Sequence, residues 1–331
     1  MSVFEPAAGQ APDPADPVFQ FVAGIIELAY GTGSGEAAAA ADPAEFRAGV
    51  ARLLAEKPSL PRELSITAEE QAQRLVEAAW ESEDEDGAGL AVDALRLWPD
   101  CADAYTYLGL SAGEEVALAI PLFTLGLVAA YETLGQDLFD NEAGHFWGMT
   151  ETRPFMRALA ELARANADAG ALDVAAAHYQ EMLRLNPNDN QGARYELLGI
   201  LLEMGDQDAV EQLLSAYPED SAPAFTYGTA LLDFQRSGDS PESRASLQQA
   251  AADVPLVAEF LAGARRLPDE GPELYERGSE EEAAVYAELL TPAWEATEGA
   301  IEWLRSNAPA GAPAKVVKAP SKEKRSGPRG V

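Results

Sequence analysis

Cysteine is nearly absent from this chain: Cys101 is the one thiol among 331 residues. An internal disulfide is therefore impossible, and a cysteine-based zinc site is excluded with it. Histidine is scarce too, with His145 and His178 leaving little for metal ligation or acid–base chemistry. Bases are few, 23 against 56 acids, for a formal net charge of −33. That balance excludes a generally basic nucleic-acid binder, because a polyanion would meet repulsion over most of the surface. Long apolar runs are missing. The longest, Val116–Ala130, is interrupted by Pro121 and Thr124 and falls short of the roughly 20 residues that cross a bilayer. The first 17 residues hold four prolines and no base, the opposite of a signal-peptide front. The expected location is cytoplasmic. Alternating runs of Val, Ile and Thr, the mark of strands, do not occur.

What is present is alanine, leucine and glutamate at helical spacing, with 47% apolar residues to build a core. The charge is uneven. Four of five lysines (Lys315, Lys318, Lys322, Lys324) lie in the last 17 residues, and from Ala308 onward six bases meet one acid, a balance of +5. Residues 1–307 then hold 17 bases and 55 acids, or −38. Two explanations fit an acidic, lysine-poor body: hydration of a surface in a salt-rich cytoplasm, or a codon bias toward arginine and alanine.

Breaks recur along the chain at Trp98–Asp100, Gly113, Gly135, Gly170, Asn186–Asn188, Gly205, Pro218–Asp220, Gly238, Pro255, Pro268–Pro272, Gly278 and Pro292. Between them fit helices of about 10–17 residues, and turns this brief imply stacked antiparallel hairpins. The tetratricopeptide repeat, about 34 residues long, reads W-x2-L-G-x2-Y, then A-x3-F, then P. The stretch from Met156 to Asp189 fits it at Leu159, Leu162, Ala163, Ala175, Tyr179, Met182 and Pro187, with its turn at Gly170. A second window opens at Ala68 and closes at Pro99, with Leu75, Gly87, Ala91 and Ala94 in place. A third opens at Ala102 with Tyr105-x2-Leu108-Gly109, followed by the apolar Glu115–Thr133 helix. Degenerate hairpins follow: Arg194–Glu203 with Asp208–Ala216, Ala222–Arg236 with Glu242–Ala252, and Glu280–Leu290 with Trp294–Leu304.

The expected fold is all-α, a right-handed solenoid of tetratricopeptide-like helical hairpins over residues 67–305. Residues 16–66, with amphipathic stretches Phe19–Tyr30 and Phe46–Ala55, are expected to cap its first repeat. Residues 1–15 and the basic tail 306–331 have the composition of disorder.

More specific residues carry a likeness. Gly144-His145-Phe146-Trp147-Gly148-Met149-Thr150-Glu151-Thr152-Arg153-Pro154-Phe155 precedes Leu183-Arg184-Leu185-Asn186-Pro187-Asn188-Asp189-Asn190, then Tyr217-Pro218-Glu219-Asp220, Arg277-Gly278-Ser279-Glu280 and Gly299-Ala300-Ile301-Glu302-Trp303. This resembles the tetratricopeptide-like proteins of the eukaryotic suppressor-of-tumorigenicity family and their shorter bacterial relatives, over about residues 140–305. The resemblance implies a helical-repeat fold and an interaction role, with no catalytic residues to carry over. This chain departs from the eukaryotic members at the front, where membrane spans are expected and none is found.

Catalytic and cofactor chemistry finds no footing. His145 in Glu142-x2-His145 lacks the three or four converging ligands a metal needs. Cys101 sits at a helix start that could lower a thiol pKa, but without a paired histidine it reads as a buried small residue. Gly31-Thr-Gly-Ser-Gly35 lacks the lysine and strand of a phosphate loop, and Glu81–Asp86 lacks the glycine of a calcium loop. No cofactor or metal is expected, and the protein is read as a non-enzyme.

The expected role is that of an adaptor or scaffold binding another protein through its concave face. Residues 153–195 hold five arginines and five acids, so this stretch is neutral in a strongly negative body. Arg153, Arg157, Arg164, Asn190 and Arg194 lie on first helices, which line the inner wall of such arrays. Together they are expected to form a groove for an acidic segment or C-terminal carboxylate, which guanidinium forks bind bidentately. The competing reading pairs each arginine with a local acid. Phe146 and Trp147 could anchor a partner or fill the core. Asn188 or Asp189 is expected to cap the next helix. Alternatives for function are a nucleic-acid-associated factor using the basic tail, or an enzyme with an unidentified carboxylate site.

Overall fold

A computed structural model describes residues 66–82, 87–113, 116–268, 271–272 and 274–308. The expectations for residues 1–15, for the cap up to 65 and for the tail beyond 308 lie outside them. The regular elements among the described residues are all helices, as the spacing of apolar residues predicts. They fall into two units, one ending at Asn188 and one starting at Asp189.

The first unit contains α1 (Ala68–Glu81), α2 (Gly87–Leu97), α3 (Ala102–Ser111), α4 (Val116–Leu134), α5 (Gln136–Asn141), α6 (Arg153–Asp168) and α7 (Leu172–Leu185). Thr67 starts α1 with a capping box: its hydroxyl accepts the Glu70 N–H at 3.0 Å, and the Glu70 carboxylate accepts the Thr67 N–H at 2.8 Å. Helices α1 and α2, α3 and α4, and α6 and α7 pair as hairpins, while the first helix α3 lies against the first helices on either side of it, α1 and α6. Every pattern residue of the window from Met156 up to Met182 is buried, and Gly170 makes the turn in the left-handed region at φ 77°. Small residues set the spacing. A Cβ on Gly109 of α3 would lie 2.4 Å from the Phe123 ring of α4, and one on Gly126 would lie 3.0 Å from the Ala102 carbonyl. Helix α3 is buried on every side from Ala102 to Gly109, which its nearly uniform apolar composition permits.

Between α4 and α6 the chain departs from a plain repeat. The short α5 and two 3-10 turns, Phe146–Gly148 and Thr150–Thr152, fill the interval. Phe139, Phe146 and Phe155 pack ring against ring at 4.8–6.1 Å. The Thr152 hydroxyl donates to the carbonyls of Phe146 and Met149, tying the turns to the start of α6.

The second unit contains α8 (Ala193–Met204), α9 (Gln207–Ala216), α10 (Pro223–Ser237), α11 (Pro241–Asp253), α12 (Pro255–Leu261), α13 (Glu280–Ala296) and α14 (Ala300–Asn307). The hairpins across Gly205 and Gly238 form as expected. The last one does not break at Pro292. Helix α13 runs through that proline, and the chain turns at Gly299, at φ 78°. Pro292 and Glu288, four residues back, are both exposed, so the carbonyl that loses its N–H partner lies on the water side. Fully buried Trp294 meanwhile holds the last turn of the helix in the core. Helix α13 packs against α8, α10 and α12 rather than extending the row as another repeat.

Candidate functional site

Arg153, Arg157 and Arg164 lie at i, i+4 and i+11 of α6, on one face of that helix. Each is half-buried. Their partners differ. Arg157 donates from Nε and Nη2 to the two carboxylate oxygens of Asp103 at 3.0 and 2.7 Å. Asp103, on α3, is only 2% exposed and also accepts the Gln73 amide of α1 at 3.3 Å. A polar ladder thus joins the three first helices of this unit. Arg164 pairs with Glu161 one turn back on its own helix at 2.6 Å.

Arg153 has no ion pair among the described residues. Its Nε is buried without an acceptor, and its guanidinium lies 5.4 Å from the centre of the Trp147 ring, within cation–π range. Trp147 is half-exposed, whereas its neighbour Phe146 is fully buried. Of the two aromatics proposed as anchor or core, Phe146 is core.

Asn190 and Arg194 belong to the second unit. Asn190 is exposed. Arg194 is buried at 7% exposure, and its donors are committed: Nη1 to Asp189 at 2.7 Å, Nε to Asp220 at 2.7 Å, and Nη2 to the Tyr195 hydroxyl at 2.5 Å. Its plane lies over the rings of Tyr195 and Tyr217, at 4.2 and 5.3 Å. Burial opposes the charge, but Asp220 and Asp189 outweigh it and hold the guanidinium above its ordinary range. For Asp220 burial pushes upward, yet the Ala222 N–H and Arg194 leave the carboxyl below its usual range. The expectation that Arg194 offers its fork to a partner is therefore revised, because a buried, doubly paired guanidinium holds the fold. Asp189 does cap, accepting the Ala193 and Arg194 N–H groups at 2.7 and 3.1 Å, and it takes a left-handed backbone, φ 48°, to do so.

The sequence reading missed Asp103, Gln73 and Tyr217 as members of these networks. One signal was available: Asp103 is the lone acid in an otherwise uncharged helix, Ala102–Ser111, which marks a carboxylate in need of a buried partner.

His145 is exposed and His178 half-buried, with burial pushing the His178 imidazole below its ordinary range. Burial pushes the Cys101 thiol up to about 12, so it is a protonated core residue. Among the described residues no three His, Cys, Asp or Glu side chains converge as a metal site. No described helix is long and apolar enough to cross a membrane.

A comparison with curated proteins finds no match. Residues 166–231, from within α6 into α10, match the tetratricopeptide repeat family model. The match supports a tetratricopeptide-like repeat over that stretch, and such repeats generally bind other proteins.

Proposed function

We propose that this protein is a cytoplasmic, non-enzymatic adaptor that docks an acidic segment or C-terminal carboxylate of a partner protein on the arginine face of α6. One observation carries the reading: Arg153 lies over half-exposed Trp147 with no acidic partner among the described residues, in a chain of net charge −33. With carboxylates so abundant, a cation left unpaired beside an aromatic ring is a site for a carboxylate from outside. Arg157 adds to it, since the fork to Asp103 uses Nε and Nη2 and leaves Nη1 for a second acceptor. The resemblance to the suppressor-of-tumorigenicity family belongs to the same reading and points to an interaction role.

The test uses fluorescein-labelled acidic peptides with free or amidated C-termini, titrated with the full chain. Arg153→Ala should weaken binding about tenfold, the equivalent of ~1.5 kcal/mol for one lost charged contact. Trp147→Ala should act in the same direction, and the melting temperature should hardly change in either variant. A loss on amidation identifies the terminal carboxylate as the ligand, and no loss identifies an internal acidic segment. Binding that is indifferent to both substitutions would refute this face as the site.

A further inference from the structure

In the second unit the first helices α8 and α10 adjoin, and α13 lies against both. First helices form the wall on which tetratricopeptide-type arrays take ligands, so in this unit a helix of the same chain occupies that wall. We propose that α13, with α14 behind it, is a displaceable internal ligand: it opens as a unit while α8 to α11 stay folded, and the wall then accepts a partner's amphipathic helix.

The seam shows how α13 is seated. Gly199 of α8 admits it closely, since a Cβ there would lie 3.1 Å from the Leu289 carbonyl and 3.3 Å from its side chain. Tyr286 meets Tyr195 edge to face at 5.5 Å. Farther along, the Gln235 amide of α10 donates to the Thr297 hydroxyl at 3.0 Å. Trp303 of α14 stacks on Phe234 at 4.5 Å and donates its indole N–H to Asp239 at 2.9 Å. This is the helix-in-groove mode of recognition, made within one chain.

Helix α13 and its neighbour α10 also bury polar groups at a cost that a permanent core avoids. Glu282 is a buried carboxylate, 6% exposed. It accepts the Gly278 N–H at 2.6 Å, yet burial, only partly offset by that bond and Arg277, raises its pKa. The indole N–H of Trp294 and the Gln235 carbonyl oxygen are buried without partners among the described residues. Groups of this kind weaken the docked state relative to an apolar seam. The described residues between Leu261 and Glu280 form no helix, so α13 can separate from α12 without unwinding a rigid connection.

Hydrogen exchange on the full chain at neutral pH tests this. Amides of α13 and α14 should exchange at least about tenfold faster than those of α8 and α10, as expected for a separate opening. Leu289→Ala should speed α13 further and leave α10 unchanged. Glu282→Gln keeps the acceptor and removes the buried charge, so it should slow α13 several-fold. A fluorescein-labelled peptide of residues 279–308 should bind the Leu289→Ala chain at least about tenfold more tightly than the wild type, because its own α13 competes less well for the wall. The proposal fails if α13 exchanges in step with α8 and α10 in every variant, or if the peptide binds both chains equally or neither.

Discussion

Arg194→Met is expected to cost the second unit about 3–5 kcal/mol, the usual penalty for removing one partner of a buried ion pair. Methionine roughly keeps the volume, so the loss is electrostatic. It leaves the Asp189 and Asp220 side chains, 2% and 12% exposed, without their cation. Asp189 still caps α8, and both carboxylates would then repel each other in a poorly hydrated place. Thermal unfolding followed by circular dichroism should show the transition of this unit falling by roughly 10 °C or more. The effect should also depend on pH. The folded-state pKa of Asp220 lies below its ordinary value, so its contribution is complete above the unfolded pKa, near about 4. That contribution is lost as the pH falls through the lower, folded value. Wild type and variant should therefore converge in stability below about pH 4. A gap that persists unchanged into acid would mean that packing of Arg194 on Tyr195 and Tyr217, rather than its charge, holds the site.

Phe146→Ala should be comparably damaging to the first unit, about 3–5 kcal/mol, because it empties a fully buried aromatic position. The ring contacts Phe139 and Phe155 at centroid distances of 5.0 and 6.1 Å, geometry that adds to simple burial. The neighbouring turns are tied to this ring's own carbonyl through Thr152. The segment from α5 to Thr152 should thus become the first part of the unit to exchange its amides. Urea unfolding of Phe146→Ala beside Trp147→Ala separates the two aromatics. The first should lower stability strongly, and the second should mainly affect ligand binding. If Phe146→Ala keeps full stability and loses binding, the two roles are reversed.

Helix boundaries were largely legible in the amino-acid sequence, because each depends on neighbours in the chain. Gly170, Gly205 and Gly238 mark turns whose positive φ suits glycine, and the Asp189 cap is local as well. Pro292 misled for a physical reason: whether a proline ends a helix depends on which side meets water, and that is a tertiary fact. The short helices α5 and α12 were also missed, since six or seven residues show too little periodicity to register. The candidate site was the least legible part. Arg157 finds Asp103 across 54 residues of chain, and Arg194 finds Asp220 across 26. Spacing along one helix placed three arginines on a common face, but it could not say which of them the fold had already consumed.

Cys101 has a practical consequence for all of these measurements. Its side chain is wholly enclosed and its thiol is held protonated, to about pH 12, while alkylating and maleimide reagents attack the thiolate. A cysteine introduced at an exposed position, such as Asn190 or Glu288, would then react alone in the native protein. Fluorophores or spin labels could be attached to the second unit at these positions, or to the first unit at exposed Glu77, without first removing the natural residue. The same enclosure keeps copies of the folded chain from linking through disulfides in air, so any covalent dimer in a stored sample would report unfolding.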